Sequence, residues 1–154
     1  MRLQRWLTPL FSVYFSPNLF AGDFDTRLAE FEDTMRDIPG DSVIGGDFNA
    51  RSTGWGMLST NRRGRAVLDL AARIGLQVAN QGSVFTYRRS GFGSSIPDVT
   101  FTSEGVAGMI RDWCVSEELT GSDHQYILFE LTNPEETRPA VRPIGWSVKK
   151  YDRD

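Results

Sequence analysis

Apolar and polar residues alternate in Phe11-Ser12-Val13-Tyr14-Phe15, a strand pattern that Ser16-Pro17-Asn18 closes. The spacing then becomes helical. Leu28, Phe31, Met35 and Ile38 fall on one face, with Asp23 or Asp25 as the N-cap and Pro39-Gly40 as the stop. Residues 42–48 form an apolar run that predicts a buried strand, ending in Gly46-Asp47-Phe48-Asn49. Residues 51–64 show little periodicity and read as a loop. A second helix is predicted over residues 65–74, with Val67, Leu68, Ala71 and Ile74 inward and Gly75 as its C-terminal stop. Shorter strand-like pieces follow at residues 76–79, 84–88, 98–101, 112–116 and 125–131. A Gly/Ser-rich loop spans residues 89–97, and one helical turn is expected within residues 104–109. Helices among the early strands and a strand-rich second half predict a mixed α/β domain.

From Thr132 onward the pattern is lost. Asn133-Pro134-Glu135-Glu136-Thr137-Arg138-Pro139 reads as a linker, and residues 146–154 are polar with a hydrophobic anchor. At 154 residues the chain is one domain's worth, with 40% hydrophobic and 24% charged residues, ordinary values for a globular protein. No stretch approaches the roughly 18 apolar residues of a membrane span. The start has arginines before a short apolar patch, but Thr8 and Pro9 interrupt it and no small-residue cleavage site follows. An intracellular protein of cytoplasm and nucleus is expected. The single cysteine, Cys114, fits that reducing setting and reads as core filler.

The formal net charge of -3 conceals an uneven distribution. Residues 51–90 hold seven arginines and one acid, Asp69, whereas residues 23–47 are acidic. Fifteen of the seventeen basic residues are arginine, the side chain suited to bidentate phosphate contacts. A basic segment beside an acidic site suits a polyanionic substrate; the same arginines also read as solvated surface charges.

Candidate chemistry collects at predicted strand ends. Asp47 and Asn49 are two apart, so a strand would put both on one face where the sheet stops. Asp98 opens another apolar strand, and Asp123 and the only histidine, His124, open a third. A carboxylate bonded to an imidazole fixes its tautomer. Three acids, an amide and one histidine form an environment of hard oxygen ligands that suits Mg²⁺ or Mn²⁺ better than zinc.

In this order the motifs resemble the endonuclease/exonuclease/phosphatase superfamily, the DNase I-like fold. Gly46-Asp47-Phe48-Asn49 is similar to its central motif, Ile96-Pro97-Asp98 to its later aspartate and Ser122-Asp123-His124 to its terminal motif. Val13-Tyr14-Phe15-Ser16-Pro17-Asn18 resembles the segment of its active-site tyrosine, and Phe85-Thr86-Tyr87 a stretch with a small hydroxyl residue near the scissile phosphate. The wording is most similar to the endonuclease domain of non-LTR retrotransposons, and residues 144–152 to the link into their reverse transcriptase. The resemblance implies a two-sheet sandwich with helices outside and a metal-dependent DNA-nicking activity.

The same resemblance implies roles for individual residues. Tyr14 contacts the phosphate, Asp47 aligns or deprotonates the attacking water, and Asn49 holds water and phosphate. Asp98 orients His124, which stabilises the transition state. Asp123, with Asp47, holds the metal. Thr86, Arg88 and Arg62 are expected to contact substrate beside Asn49. The resemblance also implies an earlier asparagine-bearing strand and a metal-binding glutamate. The expected organisation is therefore an atypical segment (1–12), the C-terminal part of the nuclease domain without its N-terminal strands (13–132), and a linker toward a polymerase (133–154). Two other readings stand beside the nuclease: an inactive remnant that at most binds nucleic acid, and a phosphomonoesterase acting on inositol phosphates or lipids.

Overall fold

A computed structural model describes residues 8–132, so the expected linker and the first seven residues lie outside it. The first strand, β1 (Leu10–Tyr14), leads into helix α1 (Ala21–Asp37) and strand β2 (Val43–Asp47). A short turn of helix (Thr53–Trp55) precedes α2 (Arg62–Arg73) and β3 (Leu76–Val78). A small hairpin, β4 (Tyr87–Arg89) and β5 (Gly93–Ser95), comes next. Then follow β6 (Asp98–Ser103), the single turn α3 (Glu104–Ala107), β7 (Ile110–Val115) and β8 (Ile127–Leu131). The expected mixed α/β architecture is present.

The main sheet runs β1-β2-β6-β3; β4-β5 and β7-β8 form separate two-stranded sheets. β1 lies parallel to β2, and β6 is antiparallel to both β2 and β3. Because successive side chains on a strand alternate, each central strand feeds two cores. Ile44, Val99 and Phe101 face the helices and pack with Phe24 and Leu28 of α1 and Val67, Leu70 and Ala71 of α2. Val43 takes the other face and packs with Val106, Ile110 and Trp113. Trp113 Nε1 donates to Thr100 Oγ1 at 3.1 Å, which satisfies a buried indole and ties β7 to β6.

Several elements differ from expectation for identifiable reasons. α1 begins two residues before Asp23, with Phe20 at the N-cap position and no side-chain cap; Asp23 lies in its first turn, where a carboxylate suits the helix dipole. Its buried face extends back to Phe24, and Ile38 is already extended. α2 starts at Arg62 because Asn61 caps it, Oδ1 accepting from Gly64 N at 2.8 Å. Gly75 at φ 71° stops it as expected. The loop before α2 is not wholly exposed: Trp55 is buried and donates from Nε1 to Ile96 O. The expected strand at 84–88 is only Tyr87–Arg89, while the expected 89–97 loop contains its hairpin partner. Cys114 is exposed rather than core. A bulge at Asp112, φ 52°, resets the alternation of β7 so that Trp113 points inward and Cys114 outward.

Candidate active site

Register builds the site. Tyr14 pairs with Asp47 across β1-β2, and Asp47 pairs with Asp98 across β2-β6. Directly opposed residues share a face, so these three form one row at the end of the main sheet. The row is anchored from behind. Phe48, the next residue after Asp47, is fully buried, stacks on Phe15 and donates its N–H to Pro97 O. Gly46 has no room for a side chain, since a Cβ there would lie 1.9 Å from Val13 O.

His124 reaches the row from a separate segment. Its backbone bridges Tyr87, and the two rings meet edge to face at 5.1 Å. Its Nδ1 lies 2.9 Å from Asp98 Oδ2, and Nε2 lies 3.9 Å from Asp47 Oδ2. The imidazole thus stands between two carboxylates. Asp98 Oδ2 also accepts from Thr86 Oγ1 at 2.6 Å, and Thr86 is wholly buried. Thr86, expected to contact substrate, instead fixes the carboxylate that orients the histidine.

Asn49 follows in a left-handed conformation, φ 44°. Its backbone N–H donates to Asp47 Oδ1 at 2.8 Å, and its Nδ2 donates to Phe15 O at 3.0 Å. Burial pushes the Asp47 carboxyl above the usual carboxylate range. The Asn49 N–H opposes that shift, the Asp98 charge adds to it, and His124 opposes it.

These groups open on a cleft of about 330 Å³ lined by Tyr14, Pro17, Asp47, Asn49, Tyr87 and His124, among others. Tyr14 is 69% exposed, so its phenol is available to a ligand. Asp47, Asp98 and His124 can each offer an atom within 4.8 Å of the others', a group able to hold a metal ion. The donors fit a hard divalent cation in a limited way. Asp47 Oδ1 and Asp98 Oδ2 already accept hydrogen bonds, which leaves Asp47 Oδ2 and Asp98 Oδ1, and of the two residues only Asp47 lines the cleft. One or two carboxylates, completed by waters and substrate phosphate, are a usual set for magnesium.

The structure therefore brings together Tyr14, Asp47, Asn49, Asp98 and His124. It places three other expected residues apart. Asp123 is half-exposed, with Oδ2 3.7 Å from Arg89 Nε, because adjacent residues of extended chain point to opposite sides and His124 takes the inward one. Arg62 pairs with Asp25 of α1. Arg88 is exposed, and its N–H donates to Asp123 O. Two residues escaped sequence reasoning: Tyr87, which alternation from Phe85 could have flagged, and Arg63, whose partners are main-chain carbonyls that leave no sequence trace.

Comparison with known proteins agrees with this fold. Residues 8–128 match the family model described as endonuclease-reverse transcriptase. The endonuclease domain of TRAS1, a telomere-specific non-LTR retrotransposon, superposes with a TM-score of 0.75 at 31% identity, over 84% of this chain and 58% of that one. The chain thus spans little more than half the length of that domain. The 3'-5' exonuclease NExo from Neisseria meningitidis shares the fold at 18% identity, with a TM-score of 0.55 over 71% of this chain and 52% of its own. A NExo structure bound to a product DNA hairpin, described as a 3' phosphatase, gives 0.56 at 18% identity over 72% and 52%. No curated protein matches the chain.

Proposed function

The chain belongs to the endonuclease-reverse transcriptase family, with a DNase I-like fold, and on that premise we propose that its cleft hydrolyses DNA phosphodiesters, nicking duplex DNA with the help of Mg²⁺. The observation that carries this reading is the placement of His124 between Asp98 and Asp47 beside an exposed tyrosine.

Each residue has a task that its contacts support. Asp98 holds the Nδ1 side of His124, so Nε2 is directed at the cleft. From there a protonated imidazole donates to a phosphoryl oxygen as charge develops on it. Asp47 aligns the attacking water and accepts its proton as the water oxygen bonds to phosphorus and the P–O bond to the leaving strand oxygen breaks. Asn49 fixes one Asp47 oxygen through its N–H, and the Tyr14 hydroxyl contacts the phosphate. A metal ion held beside Asp47 through waters and the substrate phosphate would, when bound, polarise the phosphate and neutralise charge on it. In a longer retroelement polyprotein this nick would precede the action of a reverse transcriptase inside the cell.

Supercoiled plasmid incubated with the chain tests the proposal. Relaxed circles should appear with Mg²⁺ and vanish with EDTA, and Asp47→Ala or His124→Ala should lower the rate on the order of 10³-fold. Equal absence of nicking in all samples would refute it. A remnant that binds DNA without cutting it is the second reading, favoured by Asp123 standing outside the group of Asp47, Asp98 and His124. Retarded but uncut DNA in the same samples would be its signature.

A further inference from the structure

Arg63, near the start of α2, is a partly buried cation whose hydrogen bonds all go to neutral carbonyls. Its Nη1 donates to Ser16 O at 3.1 Å and, more weakly, toward Asn49 O at 3.5 Å. Its Nη2 donates to Pro17 O at 3.2 Å and Leu19 O at 2.5 Å. The guanidinium also lies 4.5 Å from the centre of the buried Phe24 ring, a cation–π arrangement. The guanidinium spreads five N–H donors over separated nitrogens, so Nη1 and Nη2 reach different carbonyls; an ammonium offers three donors from a single nitrogen.

The partners are the walls of the cleft. Pro17 and Asn49 both line it, and the loop at residues 16–19 follows directly from Tyr14 and Phe15. The Asn49 side is gripped by the same helix start. Asn61 N donates to Arg51 O, Arg51 N donates to Asn61 Oδ1, and a Cβ on Gly64 would lie 1.9 Å from Arg51 O. Asn49 itself sits in the left-handed region, which asparagine tolerates better than other non-glycine residues, and its N–H and Nδ2 are tied to Asp47 and Phe15. The first turn of α2 thus clasps both loops, one after β1 and one after β2, at the end of the sheet where Asp47 lies.

We propose that Arg63 is a positioning residue for the hydrolytic site, fixing the Tyr14 and Asn49 loops at the separation that phosphodiester attack requires. The proposal rests on the nicking activity proposed above, but the clasp can be observed without it.

Two measurements on the full chain test it. In plasmid nicking, Arg63→Ala should lower kcat on the order of 10- to 100-fold, as a shift of about 1 Å in a catalytic wall does. Guanidinium ion at tens of millimolar should restore part of that rate in Arg63→Ala, whereas matched NaCl should not, and Arg63→Lys should stay impaired. In hydrogen exchange, the hydrogen-bonded amides of Asn18, Leu19, Asn49 and Arg51 should lose protection on the order of tenfold or more in both variants, while Ile44 and Phe101 keep theirs. Wild-type nicking by Arg63→Ala would overturn the proposal. So would unchanged exchange in the two loops, or an equal rise throughout β2 and β6, which would mark a general loss of stability. If the wild-type chain does not nick, the hydrolytic reading fails. The clasp is then retained by selective loosening of the two loops and discarded without it.

Discussion

Asp47 is held in a position unfavourable to its own charge. Burial is the main cause, and the neighbouring Asp98 adds to it. With a folded pKa above the unfolded one, the native state binds more protons over that interval. The contribution of Asp47 to stability is therefore greatest below the unfolded pKa and falls as pH rises through the folded one. Asp47→Asn removes the charge and should stabilise the fold at pH 7 by roughly 0.5–2 kcal/mol while abolishing nicking. Denaturant melts should show that gain shrinking toward pH 3, and a variant less stable than wild type at pH 7 would contradict the burial argument. Asp47, Asn49, Asp98 and His124 were legible because polar residues at the ends of apolar strands must face something other than core. Asp123 lies one residue from His124 and carries the same chemistry, but the direction of its side chain depends on how the chain bends into β8. Thr86 was read as a substrate contact from the resemblance of Phe85-Thr86-Tyr87, since the sequence does not show the part-buried carboxylate it serves.

At the scale of elements, the two adjacent glycines of β2 are not equivalent. A Cβ on Gly45 meets nothing within 4 Å, whereas one on Gly46 meets the Val13 backbone at 1.9 Å. Gly46→Ala should cost on the order of 3 kcal/mol, since no side-chain rotation relieves a backbone clash, and Gly45→Ala should be close to neutral. Equal urea midpoints for the two variants would contradict the close β1–β2 approach. Glu32 of α1 bridges Arg36 on its own helix and Arg73 of α2. The Arg73 guanidinium, then that of Arg36, hold its carboxyl down to about 2. A depressed pKa gives stability that is present above the unfolded value and lost as pH falls toward the folded one. The thermal midpoints of Glu32→Gln and wild type should accordingly differ at pH 6 and converge near pH 2; a gap that persists there would contradict the ionic bridge. Both helices were legible from their period of 3.6. The β4-β5 hairpin was not, because Gly91 and Gly93 adopt positive φ in a stretch whose composition signals only a loop.

For the molecule as a whole, the mixed α/β class and the order of motifs were legible, but the assignment of strands to sheets was not. Nothing local states that β6 inserts between β2 and β3, or that Val43 and Ile44 serve different cores. The arginine-rich stretch illustrates the same limit: Arg62, Arg63 and Arg73 go to an acid of α1, to carbonyls and to Glu32, so much of that charge binds the protein to itself. The row formed by Tyr14, Asp47 and Asp98 has a consequence in time. Its members come from three strands joined by long-range pairing, and His124 arrives from a fourth segment, so no fragment of the chain can assemble it early. Loops that must close over long distances make such pairings slow. During refolding, helices and local turns form before the row exists. Trp55 in the first core and Trp113 in the second both lean on β6, through the Phe101 ring and Thr100 Oγ1. Burial at these two positions therefore reports that β6 is seated, and not that His124 has reached Asp98 and Asp47.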